Sequence, residues 1–226
     1  MKEQLVLISG LLSDESLWEH QVQHLCDSAS ISIFHPNEDT PEKMIENILK
    51  HTPSHFALAG HSMGGWLCLE LLKAAPSRIS KVCLLNTTDR ADSEEKRKKR
   101  QAMIAKCEEG KFDEVVDGLV NFLTEIPKIK QDVKMMFMRV GQNAFINQEK
   151  SMLIREPSAS ILPTIHCPVL VIHASKDKNF SAEEHEELVE KIPNAKLAII
   201  EDCGHMSPLE TPQAVTALLR FWLTYF

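Results

Sequence analysis

No apolar run in this 226-residue chain approaches the roughly 20 residues needed to cross a bilayer, so no membrane span is expected. Behind Met1-Lys2-Glu3-Gln4 only five apolar or small residues precede Gly10, too few for a signal-peptide core. Positive charge is also short: 25 Lys and Arg face 32 Asp and Glu, a net charge of −7, which argues against a nucleic-acid footprint. The six cysteines (Cys26, Cys68, Cys83, Cys107, Cys167, Cys203) show no paired spacing, which excludes a disulfide framework. They read as reduced, mostly buried thiols, and the expected compartment is the cytoplasm. Internal repeats, low-complexity tracts and flexible linkers are absent. What remains is 43% hydrophobic and 25% charged, enough for one domain with a large core and incompatible with disorder throughout.

Two kinds of segment alternate. Short runs rich in Val, Ile and Leu lie at Leu5–Ser9, Ile31–Phe34, Phe56–Gly60, Lys81–Asn86, Val169–His173 and Lys196–Ile200. None alternates polar with apolar, the pattern of strands buried on both faces of a parallel sheet. Helical spacing fills the gaps. Ser13-Asp14-Glu15 opens one helix with capping residues, and Thr40-Pro41-Glu42 opens another with Pro at its first position. A third follows Ser62 and stops at Pro76, and the last two span Ser181–Lys191 and Thr211–Tyr225. This order predicts an α/β fold with a mostly parallel six-stranded sheet covered by helices on both faces. Between about Thr88 and Pro163 no strand is expected, only helical patterns: Glu94 and Glu95 ahead of Lys98 and Lys99, Phe112–Leu123, and the Met- and Phe-rich Val133–Gln148. The expected division is a core in two parts, 1–87 and 164–226, around a helical insertion, 88–163.

The strongest motif is Gly60-His61-Ser62-Met63-Gly64-Gly65. Gly-x-Ser-x-Gly is a common string, and its context makes it informative: it follows an apolar strand and opens a helix, as a nucleophile elbow must. In such a turn Gly60 and Gly64 avoid contacts that any Cβ would make, and the helix N-terminus points at the Ser62 hydroxyl. The plain alternative is a Gly-rich connection.

A serine needs a base, and the base needs a carboxylate. His205, in Glu201-Asp202-Cys203-Gly204-His205, follows the last strand and so lies at the sheet edge where Ser62 is expected. His61 is expected to point elsewhere. His20 and His24, four apart on a helix, lack a third ligand and read as a solvated face, so no metal is expected. Asp177, on the loop leaving Val169–His173, is the candidate acid, with Asp89 and Asp92 competing. The order Ser, Asp, His is the one α/β-hydrolases use. Two amides should hold an oxyanion: that of Met63, and one from Ser9-Gly10-Leu11, best placed at Leu11.

Together these residues resemble the α/β-hydrolase superfamily, in particular its small single-domain members of the carboxylesterase type, pimeloyl-acyl-carrier-protein methyl ester esterases among them. Leu5–Leu12 with Trp18 is similar to the oxyanion-loop region, Pro168–Asp177 to the acid strand and loop, and Gly204-His205 with Glu210 and Pro212 to the histidine region. The resemblance implies Ser62 as nucleophile, His205 as base and Asp177 as acid, with the insertion as a cap. Ser9-Gly10 stands where many members have His-Gly, and His35-Pro36-Asn37 replaces an Asp-x-x-Gly-x-Gly stretch. The segment ahead of Leu5 is too short for the two leading antiparallel strands of larger members.

The expected activity is hydrolysis of a small carboxylic ester or thioester, with no cofactor, by a monomer or homodimer. Two alternatives stand beside it: carbon–carbon bond cleavage by the same three residues, and a non-catalytic protein that binds a small ligand or a partner. In the insertion, Met135, Met136, Phe137, Met138 and Met152 read first as cap core and second as pocket lining. The run Lys96-Arg97-Lys98-Lys99-Arg100 reads first as a solvated face paired with Glu94 and Glu95, and second as a contact for an acidic partner such as an acyl carrier protein. Trp18 is expected in the core.

Overall fold

The computed structural model describes residues 2–226. In chain order its elements are β1 (Glu3–Ile8), α1 (Glu19–Leu25), β2 (Ala29–Phe34), α2 (Pro41–His51), β3 (Phe56–His61), α3 (Met63–Ala74) and β4 (Ile79–Leu85). Then come α4 (Glu94–Glu108), α5 (Phe112–Leu123), α6 (Pro127–Val140) and α7 (Gln142–Leu153), followed by β5 (Val169–Ala174), α8 (Ala182–Lys191), β6 (Ala195–Ile200), α9 (Ser207–Glu210) and α10 (Pro212–Tyr225). The six strands form one sheet in the order β2-β1-β3-β4-β5-β6, and every neighbouring pair is parallel.

Successive strand residues point to opposite faces, and each face is buried. Leu5, Leu7, Ala57, Ala59, Leu170 and Ile172 pack with Val215, Leu219 and Trp222 of α10. Val6, Ile8, Leu58, Val82, Leu84 and Val171 pack with α2, α3 and α8 through Met44, Leu67 and Leu188. The expected burial on both faces holds throughout β3 and β5. It fails at β2 and β6, where half-buried and exposed positions predominate. These two are the sheet edges, each with a single strand neighbour, so less of their surface is covered. Apolar composition alone does not distinguish an edge strand from a central one.

The helix starts follow the chemistry of their first turns. Thr40 caps α2 through the Lys43 amide, with Pro41 at the first helical position. Ser181 and Glu184 form a reciprocal capping box at α8. The expected helical stretch Val133–Gln148 is two helices: it breaks at Gly141, whose φ of 85° a side chain would resist, so α6 ends and α7 begins there. Trp18 is buried, and its indole donates to Ser9 Oγ at 3.2 Å. The six cysteines are free thiols, four of them buried. Among the described residues no helix is long and apolar enough to cross a membrane.

Candidate active site

The turn from β3 into α3 holds Ser62 at φ 55°, a left-handed conformation costly for a residue with a side chain. Its neighbours make it attainable. A Cβ on Gly60 would stand 2.2 Å from the Gly64 carbonyl oxygen, and one on Gly64 2.2 Å from that of Ile8. Both contacts are impossible, so the turn requires glycine at both positions. The Ser62 amide donates to Leu85 O at 2.9 Å, and Thr87 Oγ donates to Ser62 O at 2.8 Å, locking the turn to the end of β4.

Ser62, His205 and Asp177, 143 and 28 residues apart in sequence, lie on one hydrogen-bonded line. His205 Nε2 is 3.0 Å from Ser62 Oγ, and His205 Nδ1 is 2.9 Å from Asp177 Oδ2. Nδ1–H donates to the carboxylate, which leaves Nε2 free to accept the serine proton. Burial disfavours ionisation of Asp177, but His205 beside it, the Asn179 amide and the Asn86 side chain outweigh this and hold its carboxyl down at about 2. Neither competing carboxylate reaches His205. Asp89 faces Lys191 at 3.8 Å, and Asp92 is buried between Arg100 and Arg155.

His61 does not join this line through its side chain. Its Nε2–H donates to the His205 carbonyl at 2.7 Å, so it fixes the backbone carrying the other histidine. Complete burial, reinforced by nearby His205, lowers its pKa to about 3 and keeps it neutral. His20 and His24 stack at 4.0 Å, and His20 meets Thr216 Oγ at 2.8 Å. No group of three metal-ligating side chains is found among the described residues.

The loop after β1 has two peptides held in fixed orientations. Gly10 O accepts from the Ser13 amide at 3.2 Å, and Leu11 O from Ser13 Oγ at 3.2 Å. The Leu12 amide, at a residue with φ 55°, donates to Gln148 Oε1 at 2.9 Å. The amides of Leu11 and Met63 are paired with no protein acceptor among the described residues, and both residues line the same cavity as Ser62.

Three residues that hold this arrangement escape sequence reasoning. Asn86, at φ 48°, donates to Asp177 Oδ2 at 2.9 Å and accepts from Ser207 Oγ at 2.6 Å. Gln148 of α7 ties Leu12 to Pro36 O, at 2.8 Å, and Asn37 Oδ1, at 3.1 Å. Phe180 lays its ring 5.8 Å from that of His205. Only Asn86 carried a local signal, as a polar residue at the carboxyl end of a strand. Glu210 accepts from the amides on either side of His205, at Gly204 (2.7 Å) and Met206 (3.3 Å).

The line opens into a cavity of about 700 Å³ between the sheet edge and the helices α4, α5 and α7, within the usual range for small-molecule sites. Met103, Val115, Leu119, Phe122 and Met152 supply apolar lining. The methionine cluster therefore divides: Met136 and Phe137 are core, Met152 is pocket lining, and Met135 and Met138 are exposed. The basic run divides too. Lys98 and Lys99 pair with Glu94 and Glu95 as expected. Arg100 instead is buried against Asp92 and Glu149, and Lys96 stands 5.3 Å over the Phe180 ring.

A model of the alpha/beta hydrolase family matches residues 5–218. The chain is 23% identical to a (E)-2-((N-methylformamido)methylene)succinate hydrolase of Acinetobacter baylyi, over 98% of this chain and 90% of that one. It is 22% identical to a pimeloyl-[acyl-carrier protein] methyl ester esterase of Nitrosomonas europaea, over 92% and 91%. Among solved structures, a thermophilic esterase from Thermogutta terrifontis superposes with a TM-score of 0.89 at 24% identity, covering 99% of this chain and 90% of that one. The enol-lactonase of Burkholderia xenovorans does so at 0.90 and 21%, covering 99% and 92%. At these identities the superpositions speak for the fold.

Proposed function

Because this chain belongs to the α/β-hydrolase family, we propose that it is a serine hydrolase cleaving a small carboxylic ester or thioester. The observation that carries this reading is the unbroken line from Ser62 Oγ through His205 to Asp177, opening on a largely apolar cavity. Ser62 Oγ attacks the carbonyl carbon as His205 Nε2 takes its proton, and Asp177 holds the imidazole in the tautomer that can accept it. The free amides of Met63 and Leu11 receive the oxyanion; such a donor is worth about 3–4 kcal/mol in serine hydrolases. His205 then returns the proton to the leaving oxygen or sulfur, which departs as alcohol or thiol and leaves an acyl group on Ser62. Water, deprotonated by His205, attacks the acyl carbon and releases the acid and free Ser62. The steps need neither metal nor cofactor. Residues 88–163 act as the cap that shapes the cavity.

Hydrolysis of p-nitrophenyl esters from acetate to octanoate, wild type beside Ser62→Ala, tests the assignment. The wild type is expected to turn over, with an optimum chain length set by the cavity, and Ser62→Ala to lose on the order of 10⁵-fold or more in kcat. An organophosphonate should add one covalent group to the wild type and none to Ser62→Ala. Equal activity or labelling of the two proteins would refute Ser62 as nucleophile.

A further inference from the structure

The basic run that opens α4 faces the cavity in part. Lys96, Lys99, Arg100, Met103 and Lys106 recur at spacings of three and four along the helix, and all five line the cavity wall. Their charges are not equally available. Arg100 is neutralised by Asp92 and Glu149, and Lys99 lies 2.7 Å from Glu95. Lys96 and Lys106 have no carboxylate within 4 Å among the described residues. The other walls do not cancel them: Lys178 and Arg155 are cations paired with Glu125 and Asp92, and among the described lining residues Glu114 of α5 is the one carboxylate without an ion pair.

Lys96 is also placed relative to the reacting atoms. Its Nζ sits 5.3 Å over the Phe180 ring, and the centroid of that ring is 5.8 Å from that of His205. The ammonium therefore lies within about 11 Å of the His205 ring, and both groups contact the Phe180 ring. A cation-bearing wall in a chain of net charge −7 concentrates anions where most of the surface repels them.

We propose that the α4 lysines select an ester whose non-reacting end carries a carboxylate, joined to the scissile carbonyl by a short aliphatic spacer, as in the monoester of a dicarboxylic acid. The inference rests on the serine-hydrolase reading and adds the substrate class to it. The spacer passes the Phe180 ring and the carboxylate meets Lys96, while Lys106, ten residues and so about 15 Å further along α4, adds to the field without touching the same group. Arg100, whose planar fork would favour a phosphate, is already occupied by two carboxylates.

The test measures binding without turnover. Monomethyl adipate and dimethyl adipate are titrated calorimetrically into the Ser62→Ala protein at 20 mM and 500 mM NaCl. The dimethyl ester is the more apolar, so any advantage of the monoester reflects its charge. The monoester is expected to bind tighter by about fivefold or more at low salt, what one strong exposed ion pair supplies, and to lose that margin at high salt. Adding Lys96→Glu and Lys106→Glu should abolish or reverse the preference. Equal affinities, a preference for the dimethyl ester, or no binding of either would overturn the proposal. Turnover of neutral p-nitrophenyl esters by the wild type decides the parent reading separately. A protein that cleaves neutral esters and ignores the carboxylate loses the substrate class alone; one that binds the monoester yet cleaves no ester loses the hydrolase reading.

Discussion

Replacing Gln148 with leucine should damage stability and rate together, for reasons that can be worked out bond by bond. The side chain is wholly buried and makes three hydrogen bonds, to the Leu12 amide, Pro36 O and Asn37 Oδ1. Leucine of similar volume leaves little cavity but strands the Leu12 N–H and the Pro36 carbonyl. Each buried orphan costs about 1–3 kcal/mol, so the sum is roughly 2–6 kcal/mol. For a domain of this length that corresponds to a melting temperature lower by about 4–24 °C. The freed Leu12 amide adjoins the peptide that presents the Leu11 amide to the cavity. If Leu11 holds the oxyanion, kcat should fall by up to about 10²-fold with KM little changed. Thermal melts and steady-state kinetics on one p-nitrophenyl ester read both effects. A melt within about 2 °C of wild type would refute the hydrogen-bond reasoning. A destabilised variant with unchanged kcat would refute the link from Gln148 to the oxyanion loop.

Asp177→Asn keeps the shape of the acid but donates a proton where it used to accept one, favouring the wrong His205 tautomer; kcat should fall by about 10³–10⁴-fold with the fold intact, and a loss under tenfold would count against Asp177. Acid should destabilise the protein before its carboxylates titrate. Burial lowers the pKa of His61 to about 3 and also lowers those of His173 and His185. Such a group stabilises the fold above the unfolded histidine pKa of 6.5 and loses that contribution as pH falls toward the folded value, because the unfolded chain then binds more protons. At pH 5 His61 alone accounts for about 2 kcal/mol, or about 4–8 °C in a thermal melt, relative to pH 7.5. A melting temperature flat across that range would contradict the burial of neutral histidines.

What was legible in the sequence is what local chemistry decides. Val, Ile and Leu runs mark all six strands because a central parallel strand must be apolar on both faces, and the glycines around Ser62 mark the elbow because no Cβ fits there. The break at Gly141 was hidden because apolar residues continue on both sides of it and only the backbone angle reveals the turn. Asn86 and Gln148 were hidden for another reason. Their partners lie 91 and 121 residues away for Asn86, and 136 and 112 for Gln148, so beyond the place of Asn86 at a strand end nothing nearby in the chain points to those partners. The basic run looked uniform as a string, yet the helix sends Arg100 inward to two carboxylates and Lys98 outward.

The sheet order carries a consequence for how the protein is born. β1 to β4 are neighbours in space and are complete by Leu85, so the first four strands, and Ser62 with them, can assemble while the ribosome is still making the rest. β5 pairs with β4 across an interval of more than eighty residues, a contact that closes late because long loops are slow to close. Asp177 and His205 arrive only with that half. Under the proposed mechanism, a nascent or partly folded chain holds Ser62 without its base His205, and reactivity toward an organophosphonate during synthesis should switch on as one of the last events of folding.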